Sequence, residues 1–325
     1  MPSLEPFSTP RAKGARPQVA LGSMNFGKRT PAAEAEAILA RAVERGVTLV
    51  DTANAYVDGE SERIVGKFLK ANPGKLLVAT KVGFGGFTKG KPEGLSRKAV
   101  MAAAEESLSR LGVDVIDLYY LHVPDHSTPL EETLSAFGDL HAQGKIRAIG
   151  VSNYASWQIL EIFEICKAQG LPRPRIAQQL YNLLIRQLDI EYARFARKYE
   201  VHTTVYNALA GGLLSGRYRP GSAVEPGSRF DKNKLYLGRY WNERQLEHVE
   251  TYRALAEKAG MSLVDFAYSW LAGSPVVDSV LVGPGSLAHL DAALDGLEKK
   301  LPDDVRGEVD RLHKAFLGTE SYYAR

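Results

Sequence analysis

The sequence predicts an α/β fold, a (β/α)8 barrel, on three observations. Eight short runs rich in β-branched residues alternate with longer stretches whose apolar residues fall three and four apart, the pattern of parallel strands with covering helices. No shift in composition divides the 325 residues, so the alternation belongs to one domain. The turn after the first strand reads LGSMNFG and not G-x-G-x-x-G, which argues against an open, doubly wound sheet, the main competitor.

The elements follow in chain order. The Pro-rich, basic lead-in 1–17 is expected to be disordered, and the barrel domain is assigned to 18–325. Strands are predicted at VALGSM (19–24), VTLVDT (47–52), KLLVATKV (75–82), DVIDLYYLHV (114–123), IRAIGVS (146–152), RIAQQ (175–179), HTTVYN (202–207) and DSVLVG (278–283). Helical spacing covers Ala33–Arg45, Ser61–Lys70, Arg97–Arg110, Leu130–Gln143, Ser156–Gln169, Leu188–Lys198 and Leu287–Gly296. Gly46, Gly112, Gly144 and Gly170 stand where helices should end. In the fourth helix Thr128 is placed to cap, Pro129 suits the first turn and Glu131 can answer the cap. Residues 207–241 form an insertion after strand seven, of a length that is usually functional or disordered. Helices at Glu243–Lys258 and Ser262–Leu271 precede strand eight, one more than the eightfold plan needs, and Asp303–Leu317 leads into the tail GTESYYAR.

Composition narrows the function. With 45% hydrophobic and 24% charged residues and one cysteine, the chain is neither disordered nor disulfide-stapled. Lys+Arg 41 against Asp+Glu 38 leaves +3, too balanced for a protein that works by gripping nucleic acid. No apolar run approaches the roughly 20 residues that cross a bilayer, and the N-terminus lacks a secretory apolar core. A cytoplasmic protein with no membrane partner is expected. Cys166, alone in EIFEICKAQ, reads as a small buried residue.

In a (β/α)8 barrel the chemistry gathers at the C-terminal ends of the strands. Those ends carry Asp51 with Tyr56 just beyond, Lys81, His122, Ser152 with Asn153, Gln178 and Tyr206, which should share one cavity. A phenol is a poor acid at neutral pH, but a neighbouring ammonium stabilises the phenolate. Lys81 is placed to do this for Tyr56, Asp51 to supply the counter-charge, and His122 to orient a carbonyl oxygen. Singly, each has a structural role: Asp51 a turn cap, Tyr56 a packed aromatic, Lys81 a solvated strand-end charge, His122 a structural imidazole. Their joint occurrence on strands two, three and four favours a general-acid site. His122, Asp125 and His126 come from one loop, so no metal is expected.

DTANAYVDGESERIVGKFL, VATKVGF, LGVDVIDLYYLHVPDHSTPLEETL, KIRAIGVSNY and YNALAGGLLSGRY together resemble the aldo-keto reductase family, from about residue 19 to the C-terminus. VPDHSTPLEETL, SNYASW, LAGGLLSGRY, SRFD and GRYW are most similar to its aflatoxin-aldehyde and succinic-semialdehyde reductase branch. The resemblance implies NAD(P)H-dependent reduction of aldehydes or ketones, with Tyr56 as acid, Asp51 and Lys81 tuning it and His122 positioning the carbonyl. It implies that Ser152, Asn153 and Gln178 hold the carboxamide of the cofactor and that Tyr206 stacks on the nicotinamide. Ser23 and Met24 at the end of the first strand, and Asn207, Ala208, Leu209, Gly211, Ser215, Gly216 and Arg217 in the loop over the pyrophosphate, complete that implied site. At strand eight, Gly283, Gly285 and Ser286 open a helix whose N-terminus suits an anion, with His289 and Arg229 as phosphate partners. Relatives carry Arg, Lys or Gln and then Asn where this chain has His289 and Ala293, and Pro where it has Ala208. The departures at His289 and Ala293 weaken the case for strict NADPH use; NADPH stays favoured, with NADH left open.

Met24, Phe84, Phe87, Tyr240, Trp241, Tyr322 and Tyr323 are candidate walls of an apolar funnel, and His122 faces the substrate. Arg239 and Arg325 are placed to clamp a substrate carboxylate, although a frayed terminal charge explains Arg325 equally well. A homo-oligomer is compatible with the chain. Two other classes stay open: a cofactor-binding sensor or scaffold like the potassium-channel β-subunit, with slow or no turnover, and a metal-assisted hydrolase.

Overall fold

The structure, a computed structural model, describes residues 2–85 and 92–319. Strands β1 (Gln18–Gly22), β2 (Leu49–Asp51), β3 (Leu77–Val82), β4 (Ile116–Leu121), β5 (Ile146–Ser152), β6 (Ile176–Leu180), β7 (His202–Tyr206) and β8 (Ser279–Val282) close into a barrel in sequence order, each pair parallel. Helices α1 (Ala32–Glu44), α2 (Glu60–Ala71), α3 (Arg97–Leu111), α4 (Leu130–Ala142), α5 (Ser156–Gln169), α6 (Tyr192–Lys198), α7 (Lys234–Tyr240), α8 (Glu243–Lys258), α9 (Leu263–Ala272), α10 (Leu287–Glu298) and α11 (Asp303–Leu317) follow. The (β/α)8 barrel is thus the fold of the chain.

The two-residue period of a strand splits the core in two. Ala20, Leu49, Ala79, Leu118, Tyr120 and Ile176 point into the barrel and pack on one another. Residues of the opposite parity, among them Leu21, Val50, Val78, Tyr119 and Val151, meet the helices. Each fully buried side chain of this size contributes about 1.5–3 kcal/mol through area removed from water.

The lead-in departs from expectation, because Phe7 is apolar enough to reward docking. A 3-10 turn, Glu5–Phe7, sets its ring, 1% exposed, against the inward-facing side chains. His202 Nδ1 meets the Thr9 carbonyl at 2.7 Å, and the Arg11 amide donates to Asp278 Oδ1 at 2.7 Å. The segment plugs the end of the barrel opposite the C-terminal strand ends.

Three local expectations fail for identifiable reasons. Thr128 does not cap α4; its hydroxyl donates to Asp125 Oδ2 at 2.7 Å, and Pro129 takes the cap position without a side-chain bond. The predicted helix from Leu188 begins only at Tyr192. Asp189 accepts instead from Tyr181 and Arg186, and Glu191 from Ser156, which holds the preceding residues in a 3-10 turn. The insertion contains α7, capped by Asn233 accepting from the Tyr236 amide at 3.3 Å.

Candidate active site

The end of β2 delivers Asp51, and the chain then runs into a 3-10 turn at Tyr56–Gly59. Val57 there has φ 52°, left-handed backbone that a β-branched residue rarely adopts, which marks stored strain beside Tyr56. β3 brings Lys81 and β4 brings His122 to the same end. Lys81, fully buried, donates to Asp51 Oδ1 and, at 2.7 Å, to the Thr52 carbonyl. The second Asp51 oxygen accepts from Gln178 Nε2 at 2.9 Å. Lys81 Nζ lies 5.1 Å from the Tyr56 ring centroid, and the His122 ring meets Tyr56 edge-on at 5.9 Å. Phe84 covers His122 at 5.0 Å. The four strand-end residues therefore do converge.

Burial is the larger influence on the ion pair, raising Asp51 and lowering Lys81, while their contact pulls each back toward the charged form. His122 is pushed well below its ordinary value by burial and then by Lys81, so its ring is neutral at neutral pH. Its Nδ1 is buried with no hydrogen-bond partner among the described residues. Tyr56 corrects an expectation: desolvation, then the Asp51 charge, raises the phenol well above its usual value, where the ammonium was expected to lower it. The free protein holds the Tyr56 proton tightly.

Around these four, the groups assigned to the cofactor are bonded to one another. Asn153, at φ 65°, donates from Nδ2 to the His122 carbonyl (2.9 Å) and Ser152 Oγ (3.0 Å), and accepts from the Tyr206 hydroxyl at 2.6 Å. Burial pushes Tyr206 up to about 12. Ser23 is different. Its hydroxyl is fully buried and spent on the Asp51 carbonyl (3.0 Å) and the Ser61 hydroxyl (2.7 Å), so its side chain braces the β1 and β2 ends and offers nothing to a ligand.

The segment after β7 forms a strap. Asn207 (φ 63°) accepts from the Tyr236 hydroxyl at 3.2 Å and leaves its own Nδ2 buried without a partner among the described residues. Ala208 is buried and Leu209 packs on the core. Gly211 (φ 69°), Gly212 (φ 113°) and Gly216 (φ 90°) trace left-handed backbone, and a Cβ on Gly211 would lie 2.8 Å from the Tyr236 ring. Ser215 donates to the Gly212 carbonyl at 2.6 Å, and Arg217 reaches Glu225 at 3.4 Å. At the other side Ser286 caps α10 through the His289 amide at 3.3 Å, with Gly283 and Gly285 preceding it and exposed His289 beside Gly285. Backbone without Cβ atoms, an orphaned Asn207 amide and a helix N-terminus fit an elongated, anionic dinucleotide.

The arginines move. Arg229, expected on the adenosine phosphate, donates to Asn25 Oδ1 at 2.8 Å, approaches Met24 Sδ at 3.7 Å and lies 5.3 Å above the Tyr236 ring. Arg239 stands 5.8 Å from the same ring, beside Tyr206. Arg29, whose guanidinium is held below its ordinary value by burial and then by Arg229, joins them. The insertion folds back toward β1, which a sequence read in order does not reveal. Trp241 is half-buried against Tyr218 and Phe230, both at 4.9 Å, and Tyr240 is fully buried, so these rings pin the strap instead of lining a funnel. Arg325, Phe87, Tyr322 and Tyr323 lie outside the described residues. Sequence reasoning missed Arg29, Tyr120 and Tyr236. Of these, Tyr120 carried a signal, sharing strand parity with His122.

Among the described residues no group of three or more His, Cys, Asp or Glu is placed to hold a metal, and no helix is long and apolar enough to cross a membrane. Cys166 is buried, and its thiol is pushed up to about 11.

The Aldo/keto reductase family matches residues 18–314. Aflatoxin B1 aldehyde reductase member 2 of Rattus norvegicus is 36% identical over 305 residues, spanning 87% of this chain and 81% of the relative. Aldo-keto reductase family 7 member A3 of Homo sapiens is 35% identical over 308 residues, spanning 88% and 90%. Protein tas of Escherichia coli (strain K12) is 30% identical over 330 residues, spanning 91% and 94%.

Proposed function

Because the chain belongs to the aldo/keto reductase family, we propose that it reduces aldehydes and ketones with NADPH as the favoured donor and Tyr56 as the general acid. The observation that carries this reading is the buried Lys81–Asp51 pair beneath the Tyr56 ring, with a neutral His122 beside it. When bound, the dinucleotide supplies the hydride. Ser152, Asn153 and Gln178 would hold its carboxamide, the strap from Asn207 to Arg217 its pyrophosphate, and Ser286 with His289 its adenosine end.

The remaining work falls to the chain. His122 donates a hydrogen bond to the carbonyl oxygen, which fixes the substrate and favours negative charge there. Tyr56 holds its proton until that charge develops and then gives it up, the Lys81 ammonium offsetting the phenolate that remains. Asp51 keeps Lys81 charged in a site away from water.

Arg229 and Arg239 flank Tyr236, with Arg29 adjacent, and this favours aldehydes that carry a carboxylate. The relatives' name points the same way as far as the aldehyde goes. Tyr56→Phe should abolish turnover of 4-nitrobenzaldehyde and succinic semialdehyde while leaving NADPH binding, followed by fluorescence, intact. Near-wild-type reduction by that variant refutes the assignment. Oxidation of bound cofactor in a single turnover without steady-state reduction would favour the sensor reading instead.

A further inference from the structure

Beneath the four strand-end residues lies a fifth, Tyr120 on β4, which touches neither solvent nor the mouth of the barrel. It is 1% exposed and shares the interior with Phe7, Leu118 and Ile176. Its ring sits 5.7 Å from Lys81 Nζ, so the ammonium lies between two aromatic faces, Tyr56 and Tyr120. A buried ammonium gains from such faces because ring quadrupoles replace part of the lost hydration. Space for the ring is set by Gly150, on the neighbouring strand: a Cβ there would lie 2.5 Å from two Tyr120 ring carbons. The Tyr120 hydroxyl lies beside the side chains of Gln178 and Thr204. Gln178 in turn donates to the Asp51 oxygen that Lys81 leaves over.

We propose that Tyr120 is a positioning residue for this site: its ring floors Lys81, and its hydroxyl, through Gln178, fixes the Asp51 carboxylate that holds the ammonium under Tyr56. A side-chain amide sits in a broad torsional well about its last bond, and a second polar partner narrows that well. Tyr120 is that partner. Without it Gln178 is free to leave Asp51, and the buried carboxylate and ammonium lose their single arrangement. Groups that orient a reacting residue through another side chain work in this way, and their removal costs about ten- to a hundredfold in activity in metal sites, where this has been measured most.

The inference rests on the reductase reading for its kinetic test, and the test separates the two. Tyr120→Phe keeps the ring and removes the hydroxyl, so the barrel interior stays filled. With NADPH and 4-nitrobenzaldehyde, kcat should fall about tenfold while KM for the aldehyde stays within about twofold, the split expected when an interaction made only in the transition state is weakened. Packing alone would lower the melting temperature and leave kcat unchanged. Heteronuclear NMR of protein carrying 13C,15N-lysine is the second measurement: the buried Lys81 ammonium, held by Asp51 and the Thr52 carbonyl, should exchange its protons with solvent several-fold faster in Tyr120→Phe. Wild-type kcat in the variant overturns the proposal. If wild-type protein reduces no aldehyde, the reductase reading fails by itself, and the proton exchange of Lys81 decides the role of Tyr120: faster exchange supports it, unchanged exchange refutes it.

Discussion

Replacing Lys81 by Met keeps most of the stem and removes the ammonium. Asp51, 2% exposed, is then left with Gln178 as its remaining side-chain donor. An unpaired buried carboxylate costs about 3–5 kcal/mol, unless the group takes up a proton. Proton uptake sets a ceiling. From an unfolded value near 3.9, protonation costs about 4 kcal/mol at pH 7 and about 1.5 kcal/mol at pH 5, at about 1.36 kcal/mol per unit. In this range the folded variant binds a proton that its unfolded chain does not, so its stability falls as pH rises and is regained as pH drops toward the unfolded value. The gap between wild type and Lys81→Met should therefore narrow by about 1.5–2.7 kcal/mol between pH 7 and pH 5. Urea unfolding of both proteins at pH 5, 6 and 7, with matched m-values, measures that gap. A gap that is large but independent of pH would refute the reasoning, because the loss would then be one of packing and not of an uncompensated charge.

Tyr56 is held well above its ordinary value near 10 and His122 well below its ordinary 6.5. Carbonyl reduction, which needs the protonated phenol, should then stay flat from neutral pH to about 10 and fall only beyond it. A limb with a midpoint near 6.5 or 8.5 in kcat/KM, measured where deuterated cofactor shows chemistry to be limiting, would contradict this. Phe7→Ala should cost about 3–5 kcal/mol through the cavity it leaves. In a chain of this length that lowers Tm by about 4–7 °C; calorimetry checks it, and kcat at 25 °C should be retained. Gly211→Ala forces a Cβ into left-handed backbone against Tyr236. A strain of about 1–2 kcal/mol predicts NADPH binding about five- to thirtyfold weaker by fluorescence titration, and an unchanged Kd would remove the strap from the cofactor site.

Much of this was legible because the barrel rule turns sequence order into position: a polar residue at the C-terminal end of a β-branched run belongs to the active face. Asp51, Lys81, His122 and Gln178 each ended such a run, and they converge. What stayed hidden depended on contacts between distant segments. Arg229 reads as one basic residue in a loop, and only the fold of that loop toward β1 brings it to Met24 and Asn25. α7 has seven residues, too few for a period to declare itself, and it is held by Tyr236 and Tyr240 packing inward. Thr128 followed a sound local rule and lost to a nearer acceptor, Asp125, which already gathers the Ser127 amide, the Ser127 hydroxyl and the Leu95 amide. The upward shift of Tyr56 was beyond sequence altogether, since desolvation depends on what surrounds the hydroxyl.

The seam where β8 meets β1 has a consequence for the life of the nascent chain. Asp278, 1% exposed at the foot of β8, accepts from the Arg11 amide, the Thr203 amide at 2.8 Å and Arg197 Nη1 at 2.8 Å. Arg11 is therefore fastened by a residue synthesised 267 positions later. Until β8 emerges, β1 and β7 present bare edges and Phe7 has no finished socket, so a translating chain holds aggregation-prone surface for most of its synthesis. A product truncated before Ser279 would keep the β1 and β7 edges unpaired for good.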